Sequence, residues 1–122
     1  MRKVLCLILL VGFLAWSSTA IADLDTEELF IAKCTISTIM GRSPLIMKAK
    51  KVASIIYVSY KRSSDGTIWR FKCKLEGGLV TWGNADGRWR TEDYISYTSN
   101  NTIVTITEMH SDGSKTVKKF PK

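Results

Sequence analysis

The segment Thr67–Glu76, Thr-Ile-Trp-Arg-Phe-Lys-Cys-Lys-Leu-Glu, is the clearest strand in the sequence. Two kinds of side chain alternate along it: apolar Trp69, Phe71, Cys73 and Leu75, and basic Arg70, Lys72 and Lys74. Because alternate side chains of a strand point to opposite faces, this pattern predicts a half-buried strand of an antiparallel sheet. The apolar face requires a covering element, and the basic face is a candidate binding surface.

Residues 1–22 have the pattern of a secretory signal peptide. Arg2 and Lys3 precede an uncharged apolar run that extends to Trp16, and the small-residue segment after it ends in Ala-Ile-Ala. An Ala-x-Ala motif predicts cleavage at this point, and the apolar run is short for a membrane span of about 20 residues. We therefore expect a bacterial, exported protein, periplasmic or secreted, with a single small domain over 23–122 and no membrane span after cleavage.

Removal of Arg2 and Lys3 with the leader leaves 16 basic and 11 acidic residues, a net charge of +5. The two cysteines that remain, Cys34 and Cys73, predict one disulfide, because exported chains with an even number of cysteines usually pair them. This bridge would close a loop of 40 residues and stabilise the fold by about 4 kcal/mol. The sequence contains no metal-ligand cluster and no cofactor motif, so we expect neither.

Residues 23–40 have the pattern of one amphipathic helix. Asp25 or Thr26 is a candidate N-cap, and two glutamates follow in the first turn, where their charge opposes the helix dipole. Gly41 is a plausible C-terminal cap, and Pro44 disfavours continuation of the helix. The predicted disulfide would attach this helix to the apolar face of the strand quoted above.

After the helix, short alternating runs are separated by turns rich in Gly, Asn, Asp and Ser. The expected strands are Val52–Arg62, Thr67–Glu76, Leu79–Trp82, a return beginning at Arg88–Arg90, Tyr94–Thr98, Thr102–Met109 and Lys115–Phe120. Leu45–Lys51 is compatible with an extended connector or with a short first strand. The sequence thus predicts an α+β fold: one N-terminal helix packed on an antiparallel β-meander of about six or seven short strands, with one disulfide.

Arg70, Lys72 and Lys74 repeat at every second position, so they project from one face of their strand. Together with Lys61 and Arg62 on the preceding strand, they form a candidate basic patch for an anionic partner. The alternative interpretation is a solvated sheet face, since basic residues also discourage the association of sheet edges.

A second candidate binding site is the pair Arg88 and Arg90, which flank Trp89. Arginine and tryptophan are enriched at binding hot spots, so this segment is a candidate contact for an anionic or aromatic group. The alternative is that Trp89 belongs to the core while the two arginines form surface ion pairs, with Glu92, Asp93 or Glu108 as partners.

Catalytic side chains are scarce, since His110 is the single histidine and a predicted disulfide would consume both thiols. One enzymatic alternative is a small, basic, secreted ribonuclease. In it Glu76 would accept the 2′-hydroxyl proton, His110 would protonate the leaving oxygen, and Arg88 and Arg90 would stabilise the phosphorane. This alternative depends on residue types and fold class alone, without a local motif.

The function favoured by the sequence is that of a non-enzymatic binding protein of the bacterial envelope or exterior. Its partner would be another protein or an anionic envelope component, with nucleic acid less favoured. A structural accessory of an envelope or secretion assembly is a further alternative.

Overall fold

The computed structural model describes residues 24–122. Within them, one helix, α1, spans 24–40, a 3₁₀ turn spans Pro44–Ile46, and seven strands follow. The strands are β1 (Lys48–Val52), β2 (Ile55–Lys61), β3 (Ile68–Glu76), β4 (Leu79–Asn84), β5 (Trp89–Ser99), β6 (Ile103–Met109) and β7 (Lys115–Pro121). The signal peptide predicted for residues 1–22 lies outside the described residues.

The seven strands form one antiparallel sheet in which each strand pairs with its neighbours in sequence. The sheet curves into a half-barrel, and α1 packs on it. Ile56 on β2 lies opposite Cys73 on β3, which in turn lies opposite Trp82 on β4, so one register carries an apolar row across three strands. The predicted combination of one helix with an antiparallel meander is present.

Alternate residues of the strands pack with α1 in one apolar core. The core comprises Ile31, Ala32, Cys34, Ile36, Met47, Ile56, Val58, Tyr60, Phe71, Cys73, Val80, Trp82, Ile95, Val104 and Ile106. Phe71 lies near its centre, with ring centroids 6.1 Å from Tyr60, 6.5 Å from Trp69 and 6.1 Å from Trp82. The residues between the core positions therefore face away from α1, and these form the outer face of the sheet.

Polar contacts attach the start of α1 to both edges of the sheet. Lys51 on β1 contacts Glu28 at 2.8 Å and Asp25 at 3.3 Å, and Lys122 beyond β7 pairs with Glu27. The hydrogen bond from Lys122 keeps the pKa of Glu27 below its ordinary value. Since solvent-exposed pairs contribute about 0–1 kcal/mol each, apolar burial supplies most of the attachment.

The predicted disulfide is wrong. Cys34 and Cys73 are both buried and both free, and the two residues are not near each other. A disulfide needs Cβ atoms about 4 Å apart, whereas a helix on a curved sheet covers several strands, so two cysteines of one core need not meet. Burial raises the pKa of each thiol to about 12, and both act as small apolar side chains.

Two strand boundaries also differ from the sequence prediction. The expected strand Val52–Arg62 is interrupted after its first residue, because Ala53 adopts a φ of 57° and turns β1 into β2. Ala-Ser lacks the Gly, Asn or Asp that marks a two-residue hairpin turn, so this hairpin is not visible in the sequence. The two segments expected around Arg88–Arg90 and Tyr94–Thr98 are one strand, β5, whose pairing with β4 shifts register between Val80 and Trp82.

Candidate binding surface

The outer face of β1–β3 carries a cluster of positive side chains, which we call the outer basic patch. Its members are Lys48, Lys50, Lys61, Arg70, Lys72 and Lys74. Strand register brings them together: Lys48 and Arg70 both lie opposite Ser59, and Lys50 and Lys72 both lie opposite Tyr57. Successive cations on β3 repeat at about 7 Å, and neighbouring strands are about 4.8 Å apart.

The outer basic patch is little neutralised. The outward positions of β1–β3 include one carboxylate, that of Glu76, which lies 3.9 Å from the Lys74 ammonium. Lys48, Lys50 and Arg70 are exposed and form no ion pair with any residue in 24–122. Because β3 is an interior strand, edge protection does not account for its basic row.

Trp89 extends the patch with an aromatic surface. Lys72 Nζ lies 4.5 Å from the centroid of the Trp89 ring and Lys74 Nζ lies 5.6 Å from it, both within the range of a cation–π contact. Lys72 also donates a hydrogen bond to the carbonyl of Gly87 at 2.7 Å. The alternative that assigned Trp89 to the core is therefore wrong: its register partner is Gly83, an outward-facing position.

The flanking arginines are engaged in ion pairs, as the second interpretation of this segment expects. Arg88 forms two hydrogen bonds with Glu92, at 2.9 and 3.2 Å, and this contact lowers the pKa of Glu92 to about 2. Arg90 contacts Asp93 at 3.1 Å and lies 5.0 Å from the Trp82 ring centroid. Both guanidinium groups thus offer less free charge to a partner than Arg70 does.

The four residues of the ribonuclease alternative are not brought together. Glu76 ends β3, whereas Arg90 on β5 lies two strands away and level with Cys73, about 10 Å along the strand direction from Glu76. Arg88 precedes β5 and lies still further from Glu76. His110 follows β6. Strand pairing places Glu76 level with Thr107 on β6, which lies three strands away from β3. This places Glu76 about 14 Å across the sheet from β6, and His110 about 10 Å further along that strand.

The surroundings of His110 are those of a strand-end residue. Its Nε2 atom lies 2.7 Å from the Thr116 hydroxyl and 4.0 Å from a carboxylate oxygen of Glu108. These contacts are made within the β6–β7 hairpin, and the side chain is exposed. No group of three or more potential metal ligands occurs in residues 24–122.

Sequence reasoning missed two members of the patch, Lys48 and Lys50, and did not establish that Trp89 lies beside it. The two lysines lie in a segment that the sequence left unassigned, so their face was unknown. One signal was present, since residues 29–64 contain seven basic residues and no Asp or Glu. Such a stretch indicates a strongly positive surface wherever it folds.

A depression borders the patch at the end of the sheet where β3 begins. It encloses about 560 Å³ and is lined by Thr67, Ile68, Trp69, Arg70, Asn84, Ala85 and Asp86. The Trp69 ring lies 5.4 Å from the Arg62 guanidinium, which in turn pairs with Asp65 at 2.7 Å. Trp69 therefore lies on the inner side of β3 with Arg62 beside it, and Arg62, a predicted member of the basic patch, is not part of it.

Among residues 24–122 there is no helix with the length and apolar character needed to cross a membrane. The comparisons with known proteins add no relative, because no protein-family model, no curated protein and no solved structure matches the chain.

Proposed function

We propose that this chain is an exported, non-enzymatic binding protein whose outer basic patch binds an anionic component of the bacterial cell envelope. The observation that carries the proposal is the row Arg70, Lys72 and Lys74 on an interior strand, beside Lys48 and Lys50, which form no ion pair within residues 24–122. Like charges on one sheet face repel each other, so this row does not itself stabilise the fold. Binding to a negatively charged partner would account for the row.

The export part of the proposal rests on the leader-like pattern of residues 1–22. The non-enzymatic part is supported by the separation of Glu76 from His110, the two groups that the ribonuclease alternative would use as base and acid. Trp89 and Tyr57 suit a binding role, because aromatic rings beside cations make contact with the apolar parts of a charged polymer.

The test compares two triple variants with the same net charge. One is Lys50→Gln, Arg70→Gln and Lys74→Gln in the patch, and the other is Lys115→Gln, Lys118→Gln and Lys119→Gln on β7. All six residues occupy strands, and none of the β7 lysines is paired with a residue of the described chain. Lys72 is retained because its bond to Gly87 supports the turn before β5.

The probe is heparin, a soluble polyanion, titrated at several salt concentrations with protein produced from the full chain. We expect the patch variant to bind about 100-fold more weakly, at about fivefold per cation, with a flatter dependence of affinity on salt. The β7 variant should lose less than about fivefold. Equal losses in the two variants would show a response to net charge alone and would count against a specific surface.

A further inference from the structure

The 3₁₀ turn between α1 and β1 presents two bulky apolar side chains to solvent. Leu45 is 93% exposed and Ile46 is 51% exposed. We call Leu45 and Ile46 the apolar tip. No other large apolar residue of the described chain is as exposed as Leu45, so its position is not the usual scatter of surface hydrophobics.

The apolar tip is held in place by its own backbone. Pro44 begins the turn, the Ser43 hydroxyl accepts a hydrogen bond from the Leu45 amide at 3.2 Å, and the Met47 amide donates to the Pro44 carbonyl at 3.1 Å. Met47 is 5% exposed and anchors the end of the turn in the core. The chain therefore projects Leu45 outward from a fixed support, without the ordering cost that a flexible loop incurs on binding.

Two lysines lie beside the apolar tip. A depression of about 210 Å³ lies beside it, lined by Ile46, Lys48, Ser59, Tyr60, Lys61 and Ile68. Ile68 is 50% exposed and adds a further apolar surface. Lys48 and Lys61 are exposed and form no ion pair within the described part of the chain, so their ammonium groups remain available to phosphate.

We propose that the apolar tip inserts into an anionic phospholipid bilayer, with Leu45 and Ile46 at the acyl boundary and Lys48 and Lys61 on headgroup phosphates. This inference rests on the proposed function and specifies its partner. An apolar projection with two lysines beside it, in a segment 29–64 that has no acidic residue, matches a bilayer surface, where acyl chains lie beneath negatively charged headgroups. A protein partner would have to supply both an apolar socket for Leu45 and carboxylates beside it.

The experiment measures binding of the protein, produced from the full chain, to vesicles of phosphatidylglycerol and phosphatidylethanolamine and to vesicles of phosphatidylcholine alone. The first variant is Leu45→Ser with Ile46→Ser, and its control is Leu79→Ser. Leu79 is 41% exposed on the outer face, at the opposite end of the sheet. All three residues are exposed, so we expect thermal unfolding of both variants to match the wild type.

We expect the wild type to bind anionic vesicles and to bind neutral vesicles at least tenfold more weakly. The Leu45→Ser, Ile46→Ser variant should lose at least tenfold in vesicle binding and retain its heparin affinity, and the Leu79→Ser control should retain both. Lys48→Gln with Lys61→Gln should weaken vesicle binding by about 25-fold, at about fivefold per residue.

Four results would overturn the inference. Heparin binding without vesicle binding would remove the membrane and leave the proposed function intact, whereas absence of both would remove the proposed function as well. Vesicle binding that is unchanged by Leu45→Ser with Ile46→Ser would show electrostatic adsorption without insertion. Dependence of a purified protein complex on Leu45 and Ile46, without vesicle binding, would identify a protein partner instead.

Discussion

The outer face of the sheet has two halves that differ in charge although they cover one core. The β1–β3 half carries the outer basic patch, whereas the outward positions of β4, of residues 94–99 in β5, and of β6 are uncharged. Thr81, Ser96, Thr98, Thr105 and Thr107 supply much of this second half. Because both halves have the same strand pairing and the same kind of inner face, the fold does not require the charge of the first half.

Edge protection explains some of the lysines but not all of them. Lys48 and Lys50 on β1 and Lys115 and Lys119 on β7 lie on the two edge strands, where charge discourages pairing with another chain. The row on β3 lies two strands from the nearest edge. Charge on the edge strands therefore has a general protective role, whereas the charge of the β3 row requires another explanation, such as a binding partner.

The largest expected effect tests whether the two halves share one interior. Phe71→Ala on β3 and Ile106→Ala on β6 each remove a side chain that is at most 1% exposed. We expect both to lower the free energy of unfolding, by about 3–5 and 2–5 kcal/mol respectively. Urea denaturation measures both.

The matched outward control for these core variants is Thr105→Ala, which should change the free energy of unfolding by less than about 0.5 kcal/mol. A cost below about 1 kcal/mol for Phe71→Ala would mean that the sheet under the basic half is not packed as described. The two halves would then differ inside as well as outside.

The second prediction concerns the boundary between the halves, where Gly83 on β4 lies opposite Trp89. A Cβ atom at Gly83 would overlap the carbonyl oxygen of Arg88, which is backbone and cannot move aside cheaply. We expect Gly83→Ala to cost about 2–3 kcal/mol and to displace Trp89 from its two lysines. Urea unfolding and tryptophan fluorescence are the measurements, and Thr81→Ala on the same strand is the control.

Retention of full stability by Gly83→Ala would show that the start of β5 is free to move away from β4. In that case the contacts of Trp89 with Lys72 and Lys74 would not be fixed by the sheet. The aromatic extension of the patch would then lose its structural basis, while the row on β3 would remain.

The sequence predicts those features that depend on neighbours along the chain. Alternation identifies β3 and its two faces, and helical spacing with Gly41 identifies α1, whose end is confirmed by the Gly41 amide bonded to Ser37 at 2.9 Å. Asp-Gly and Gly-Gly mark the turns on both sides of β3. Each of these signals is contained within a few residues, so a single sequence is sufficient to read it.

Features that depend on distances across the core were not predictable. The disulfide inference used compartment and cysteine number, and neither gives the separation of Cys34 from Cys73. The outward position of Trp89 depends on its pairing with Gly83, which is set by the register shift between β4 and β5. The apolar tip was not predictable because its solvent exposure depends on tertiary packing. Leucine and isoleucine are also typical core residues, so the residue types of Leu45 and Ile46 do not reveal their exposure.

The third prediction distinguishes a helix held by packing from one tied covalently to the basic half. Cys34→Ser and Cys73→Ser each place a hydroxyl in an apolar site, at a cost of about 1–3 kcal/mol. Because the two cysteines are not near each other, we expect the costs to add in the double variant, measured by urea denaturation. A double variant no less stable than either single one would indicate a shared bond, and it would contradict the free thiols.

The smallest expected effect compares two arginine–carboxylate pairs, one in each half. Arg62 holds the pKa of Asp65 well below its ordinary value in the β2–β3 turn, and Arg88 lowers that of Glu92 to about 2 at the start of β5. A depressed carboxyl pKa stabilises the fold above the unfolded value of about 4, and this contribution is lost as the pH falls through the folded value. Both pairs should therefore make stability decrease from about pH 4.5 towards pH 2.

The two pairs should respond differently to removal of the charge. Asp65 also accepts a hydrogen bond from the Thr67 amide at 3.0 Å, which Asp65→Asn can keep, whereas Glu92 has Arg88 as its main partner. The urea midpoint, measured from pH 5 to pH 2, should depend less on pH in Asp65→Asn and in Glu92→Gln than in the wild type. Added salt should weaken the pH dependence of the wild type, because both pairs are solvent-exposed. At pH 7, Glu92→Gln should lower the midpoint more than Asp65→Asn. The opposite order would mean that the Arg62–Asp65 pair contributes more to stability than the Arg88–Glu92 pair does, although Asp65→Asn can keep the bond to the Thr67 amide.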